Sequence, residues 1–91
     1  MLDLRHVLER FKEGDRSAFE QIYLEYSPRI YRFAKRYTCN KEDAEEIVQD
    51  VFLKLWDIRN TLNLTQNFDS FLFTVTRNLL FDRHRSNSDL F

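Results

Sequence analysis

Turn-forming residues are almost missing from this chain: its 91 residues include one glycine, Gly14, and one proline, Pro28. So few breakers argue against a turn-rich β fold and for helices. Cysteine is nearly absent too. The lone Cys39 has no partner for an internal disulfide, which fits a reducing cytoplasm. No apolar run approaches the length of a membrane span, and Leu2 is followed at once by Asp3, Arg5 and Glu9, unlike a signal peptide. His6 and His84 stand far apart in sequence, and with one cysteine they fall short of a zinc site. Glu45, Glu46 and Asp50 lack the Glu-x-x-His partners of a di-metal bundle. A single glycine leaves no phosphate-cradling loop. These gaps argue against an enzyme, a metal centre or a bound cofactor.

What is present suits one small folded domain. Apolar residues make up 43% of the chain and charged residues 32%. A chain of this length buries roughly 60–65% of its unfolded surface, enough for one modest core. The net charge is −1, so the chain as a whole is not a basic nucleic-acid binder. Charge is instead segregated. Arg29, Arg32, Lys35 and Arg36 form a basic block, an acidic block follows at 42–50, and Arg77, Arg83, His84 and Arg85 cluster against Asp82. Local patches of this kind steer partners.

The spacing predicts a first helix over 3–13, with Asp3 as N-cap, a stripe of Leu4, Val7, Leu8 and Phe11, and Gly14 just past its end. Asp15 caps a second helix with Ala18, Phe19, Ile22, Tyr23 and Tyr26 on its stripe. Pro28 removes a helical hydrogen bond, and Ser27-Pro28 makes a good N-cap–N1 pair. A kink or short break is therefore expected near Tyr26–Ser27, followed by helix to Tyr37 that buries Ile30, Phe33, Ala34 and Tyr37.

Residues 41–59 carry the clearest pattern. One face holds Ala44, Ile47, Val48, Val51, Leu55 and Ile58, a core face. The opposite face holds Glu42, Glu46, Gln49, Asp50, Leu53 and Asp57. Between Glu42 and Asp50 there are five carboxylates and no basic residue. Like charges at i,i+4 cost an isolated helix a few tenths of a kcal/mol. An acidic face with an apolar residue at its centre suits docking on a basic partner. The competing reading is a solvated helix whose Leu53 packs elsewhere in the fold.

Residues 60–67, NTLNLTQN, have no helical period and no charge. They are either an ordinary connector or a loop offering neutral amides, including those of Asn63 and Asn67, to bases. A last helix over 68–85 follows, capped by Asn67, with Phe68, Phe71, Leu72, Val75 and Leu79 as core face. Its far face holds Phe73, Arg77, Phe81 and His84, with Asn78 to one side. Aromatics beside a guanidinium and an amide suit base stacking and phosphate contact. Packing of Phe73 and Phe81 on a neighbouring helix is the alternative.

Three blocks together resemble a known family: AFEQIYLEYSPRIYRFAKR, DAEEIVQDVFLKLW and FDSFLFTVTRNLLFDRHR. In order and at this spacing they look like conserved region 2 of bacterial RNA polymerase sigma factors of the extracytoplasmic-function (ECF) group, over about residues 15–85. The resemblance implies an all-α bundle of about four helices, here with the second broken near Pro28. It implies that the 41–59 helix docks on the basic clamp helices of the polymerase's largest catalytic subunit, through Glu46, Gln49, Asp50, Leu53 and Asp57. It implies that the connector and the start of the last helix capture flipped bases of the promoter −10 element's non-template strand. Arg77 and Asn78 fall on the family's Arg-Asn position, and Arg83 and Arg85 on its basic helix end. Phe68 matches an aromatic used for strand melting, whereas Thr74 and Val75 stand where housekeeping members carry tryptophans. ECF factors share that lack, which implies weaker opening and stricter promoter choice. An anti-sigma factor is a further implied partner.

An ECF factor normally has a second helical domain, which reads the −35 element. Nothing in residues 1–91 resembles it, so the chain is expected to be an excised N-terminal domain rather than a truncated member. The reading adopted is a single cytoplasmic sigma region 2 domain that binds core polymerase and recognises and melts the −10 element. Its rivals are a helical DNA-binding regulator of another class and a structural protein-interaction module.

Overall fold

The computed structural model describes the backbone of residues 3–89 and the side chains of residues 3–84. Four α-helices run in order: α1 (Leu4–Lys12), α2 (Arg16–Lys35), α3 (Lys41–Asp57) and α4 (Phe68–Asp89). A short 3₁₀ turn, Arg59–Thr61, opens the connector between α3 and α4. No strand occurs among the described residues.

Each helix starts on the cap its sequence supplies. The Asp3 carboxylate accepts from His6 N at 3.3 Å, Asp15 from Ser17 N at 2.9 Å, and Asn40 from Asp43 N at 2.8 Å. The Asn67 side chain accepts from Ser70 N at 2.9 Å. These bonds satisfy donors that a helix N-terminus otherwise leaves open. The end of α1 closes through Gly14 at φ +93°, with Gly14 N donating to Phe11 O and Asp15 N to Arg10 O. That pairing is the Schellman arrangement, and its left-handed residue is the one place where glycine's freedom is required.

Pro28 does not break the second helix, contrary to expectation: α2 is continuous from Arg16 to Lys35. The reason is the phase of its buried line. Ala18, Ile22, Tyr26, Ile30 and Ala34 are all buried, so the stripe keeps one register across the proline. The carbonyl that loses its donor belongs to Leu24, whose side chain is 66% exposed, on a side that water reaches. Burial along five positions outweighs a local cost of about 3 kcal/mol. The helix stops at Lys35, however, and Tyr37 beyond it is 50% exposed rather than buried.

Helix α3 is central. Ala44, Ile47, Val48, Val51, Phe52 and Leu55 are buried between α2 and α4. Aromatic rings fill the gap to α1 and α2: Phe19 meets Trp56 at 5.2 Å and Phe52 at 6.2 Å between ring centres, and stacks on Phe11 at 5.5 Å. The buried line of α4 is Phe68, Leu72, Thr76 and Leu80, shifted from the expected face. Phe71, Val75 and Leu79 are only half-buried. Thr76 can lie in the core because its hydroxyl donates to Leu72 O at 2.9 Å. That bond satisfies a polar group which would otherwise be costly to bury.

Candidate functional site

The face of α3 turned away from the core is exposed. Glu46, Gln49, Asp50, Leu53 and Asp57 all lie on it, and Leu53 is 65% exposed. Leu53 therefore does not pack elsewhere in the fold. Glu46 is partly engaged: Arg83, from α4, donates to Asp43 Oδ1 at 2.8 Å and to Glu46 Oε2 at 3.3 Å. Asp50 and Asp57 have no ion pair among the described residues. The result is a surface of uncompensated carboxylates around a bare leucine.

The connector is anchored but not helical after its first turn. Leu62 is buried, and its carbonyl accepts from Lys12 Nζ at 2.8 Å. Asn63 folds back on itself: its Oδ1 accepts from Thr65 N at 3.0 Å and Thr65 Oγ1 at 2.7 Å. Asn67 spends its Oδ1 on the α4 cap. Both asparagines thus commit their oxygens locally, and the NH₂ groups of these exposed side chains are the donors left to a ligand. Between the connector and α1 lies an open hollow of about 380 Å³. Leu4, Leu8, Leu64 and Phe68 line its apolar part; Arg5, Gln66, Asn67 and Asp69 line its polar rim. Sequence reasoning gave α1 and Asp69 no part in a site. No periodicity signals that two segments about 60 residues apart share a wall.

On α4, Arg77, Asn78 and Phe81 are exposed, Phe81 by 56%. Phe81, Tyr37, His84 and Arg77 border a small apolar groove, where His84 Nε2 lies 3.1 Å from Tyr37 O. Phe73 is half-buried, edge-on to Phe33 at 5.3 Å, as the packing alternative has it. Two expected DNA contacts have partners within the fold. Phe68 is 7% exposed and packs in a T-shaped contact with Tyr26 at 5.3 Å, so only the margin of its ring reaches the hollow. Arg83 is held by two carboxylates of α3, because the length of α4 carries it alongside Asp43. The side chain of Arg85 lies outside the described residues.

A third cluster ties α4 to α2 beside the hollow. The Tyr26 hydroxyl donates to Asp69 Oδ1, and Arg29 donates to Asp69 Oδ2 at 3.0 Å. The Arg29 guanidinium also lies over the Tyr26 ring, 4.9 Å from its centre. The Tyr26 bond and then the Arg29 bond hold the Asp69 carboxyl below its usual range, against the opposing effect of burial. Burial, reinforced by the bond to Asp69, pushes the Tyr26 phenol well above its usual range.

Comparison with known proteins accords with this geometry. The Sigma-70 region 2 family matches residues 22–89. The ECF RNA polymerase sigma factor SigW of Bacillus subtilis is 30% identical over 82 residues, covering 90% of this chain and 44% of SigW. The RNA polymerase sigma factor CarQ of Myxococcus xanthus is 30% identical over 86 residues, covering 92% of this chain and 49% of CarQ. The chain thus spans less than half the length of these curated relatives. An engineered region 2 of sigmaE, solved in complex with GTAAAA, superposes with a TM-score of 0.87 over 96% of this chain and 90% of that one, at 21% identity. The fold, the run of matched residues and the relatives agree, and the chain belongs to the region 2 family of sigma-70-type RNA polymerase sigma factors.

Proposed function

We propose that this domain docks on core RNA polymerase through the outer face of α3, and that its connector and α4 then recognise and melt the promoter −10 element. The observation that carries the reading is the bare Leu53 among Gln49, Asp50 and Asp57, opposite a face that is buried from Ala44 to Leu55. A basic helical surface such as the polymerase clamp helices complements it in charge and in apolar contact. Glu46 takes part at the edge of this face, sharing its charge with Arg83.

Capture of the non-template strand is assigned to the hollow beside the connector and to Arg77, Asn78 and Phe81 on α4. An unpaired base entering the hollow meets apolar side chains on one side and the NH₂ group of Asn67 at its rim, and Asn63 lines the smaller recess beside it. Those donors select for acceptor atoms on the base edge. Arg77 and Phe81 supply phosphate contact and stacking. Phe68 contributes the margin of its ring to the wall of the hollow and otherwise acts through packing, and Arg83 braces α4 against α3. Arg85 remains a proposed phosphate contact. The sigmaE region 2 that shares this fold was solved in complex with GTAAAA, which is compatible with a short DNA strand as ligand. The domain works in the cytoplasm with the polymerase, and an anti-sigma factor regulates it by covering one of these surfaces.

The test is binding of non-template oligonucleotides, varied at one position at a time, to core polymerase carrying this chain. Asn67→Ser keeps an oxygen for the helix cap while removing the NH₂ donor. Asn63→Ser likewise keeps an oxygen for the local turn without adding charge. Each should lose about 1–3 kcal/mol of discrimination at a single position. Equal losses for matched and mismatched oligonucleotides would rule out base reading by the connector.

A further inference from the structure

Resting on that reading, we infer that Tyr26 and Arg29, acting through Asp69, are positioning residues for base capture by the connector. Asp69 stands in the first turn of α4, two residues after the capping Asn67. It is also on the rim of the hollow. Both of its carboxylate oxygens are taken from the α2 side: Oδ1 by the Tyr26 hydroxyl and Oδ2 by Arg29 NH2 at 3.0 Å.

The arrangement fixes three consecutive residues at the point where the connector enters α4. Asn67 bonds Ser70 N, Phe68 packs on the Tyr26 ring, and Asp69 is gripped by two donors. The other end of the connector is held by buried Leu62 and by Lys12. Between these two anchors Asn63, Thr65 and Gln66 are exposed, so the Asn67 amide is placed chiefly by the α2–Asp69 anchor.

Charge gives the cluster a second role. A lone carboxylate on the rim would repel the phosphates on either side of an entering base, since charges within a Debye length are poorly screened. Its free oxygens would also compete with the base for the nearby amide donors of Asn67 and Gln66. Arg29 cancels the charge, and the Tyr26 hydroxyl occupies the remaining oxygen without adding charge. Tyr26 is 3% exposed, and packing alone would be served equally by phenylalanine. Its hydroxyl is what reaches Asp69.

The experiment uses the 91-residue chain bound to core polymerase and single-stranded non-template oligonucleotides. Tyr26→Phe removes only the hydroxyl, and Asp69→Asn removes the charge at constant shape. Each should lower the preference for the matched base roughly three- to tenfold, the size of one hydrogen bond. The loss should fall at the same oligonucleotide position that Asn67→Ser affects, with core polymerase binding unchanged within about twofold. A readout without DNA accompanies it: amide exchange at Ser70 and Phe71, both bonded to Asn67, should quicken in Tyr26→Phe. An unchanged preference in both folded variants overturns the inference whatever the exchange rates do. So does an equal loss for every oligonucleotide, which is the signature of a merely structural tie. Failure of the underlying reading looks different: the parent chain itself would show no single-base preference, and the inference would fall with it.

Discussion

Replacing Leu53 by alanine removes an apolar side chain that the fold does not use. The residue is 65% exposed and stands on the outer face of α3. Fully burying a leucine stabilises by about 1.5–3 kcal/mol relative to leaving it in water. The share still open to a partner is about two-thirds, so covering it on docking contributes about 1–2 kcal/mol. Alanine forfeits most of that, and the dissociation constant for core polymerase should rise roughly five- to thirtyfold. Folding should scarcely respond. Leucine and alanine have similar helix propensities, and a surface change without buried contacts usually stays within about 0.5 kcal/mol. The assay is a fluorescence-anisotropy titration of core polymerase into labelled chain, with the dye on the single exposed Cys39. Because the lost contact is apolar, the ratio of the two affinities should hold between low and moderate salt. An affinity unchanged within twofold refutes the docking role. A melting temperature lowered by many degrees refutes the geometry, since it would mean that Leu53 packs within the domain.

Two further expectations concern the core and the Tyr26 cluster. Leu72→Ala empties a fully buried site and should cost about 2–5 kcal/mol, lowering the melting temperature by about 10 °C or more. Val75→Ala, at a half-buried site, should cost about 1 kcal/mol; equal losses in thermal melts would contradict the assignment of the α4 face. The Tyr26 phenol has a raised pKa in the folded chain, so its contribution is complete below the unfolded value near pH 10 and is lost as pH rises toward the folded one. Denaturant melts between pH 9 and 11 should therefore show stability falling more steeply for the parent than for Tyr26→Phe, and identical slopes would count against the buried hydrogen bond. Asp69 has the opposite sign, its lowered pKa placing the loss in acid as pH falls through the folded value.

What the sequence revealed follows from the range of the interactions involved. The two faces of α3 were legible because each repeats along the 17 residues of one helix, and the four N-caps because each bond spans two or three residues. Pro28 was misread because a local rule was applied where a continuous buried stripe decides the outcome. Thr76 was passed over as polar, yet its hydroxyl folds back onto Leu72 O, and this moved the core face of α4 by one position. Arg83 looked like a free cation because Asp43 and Glu46 lie 40 and 37 residues away along the chain. The Tyr26–Asp69 bond, spanning 43 residues, was hidden for the same reason, as was the wall that Arg5 and Leu8 lend to the hollow.

The central claim couples docking to strand capture, and one measurement addresses both. Core polymerase is titrated with a labelled non-template oligonucleotide bearing the −10 sequence, alone, with this chain, and with its Gln49→Lys, Asp50→Lys variant. That pair spares Glu46, and so leaves the Arg83 bridge in place. The account predicts that the chain raises oligonucleotide affinity at least about tenfold over core polymerase alone. It predicts that the double variant, still folded, abolishes the gain. No gain from the parent chain, or a gain that survives the charge reversal on α3, would contradict it.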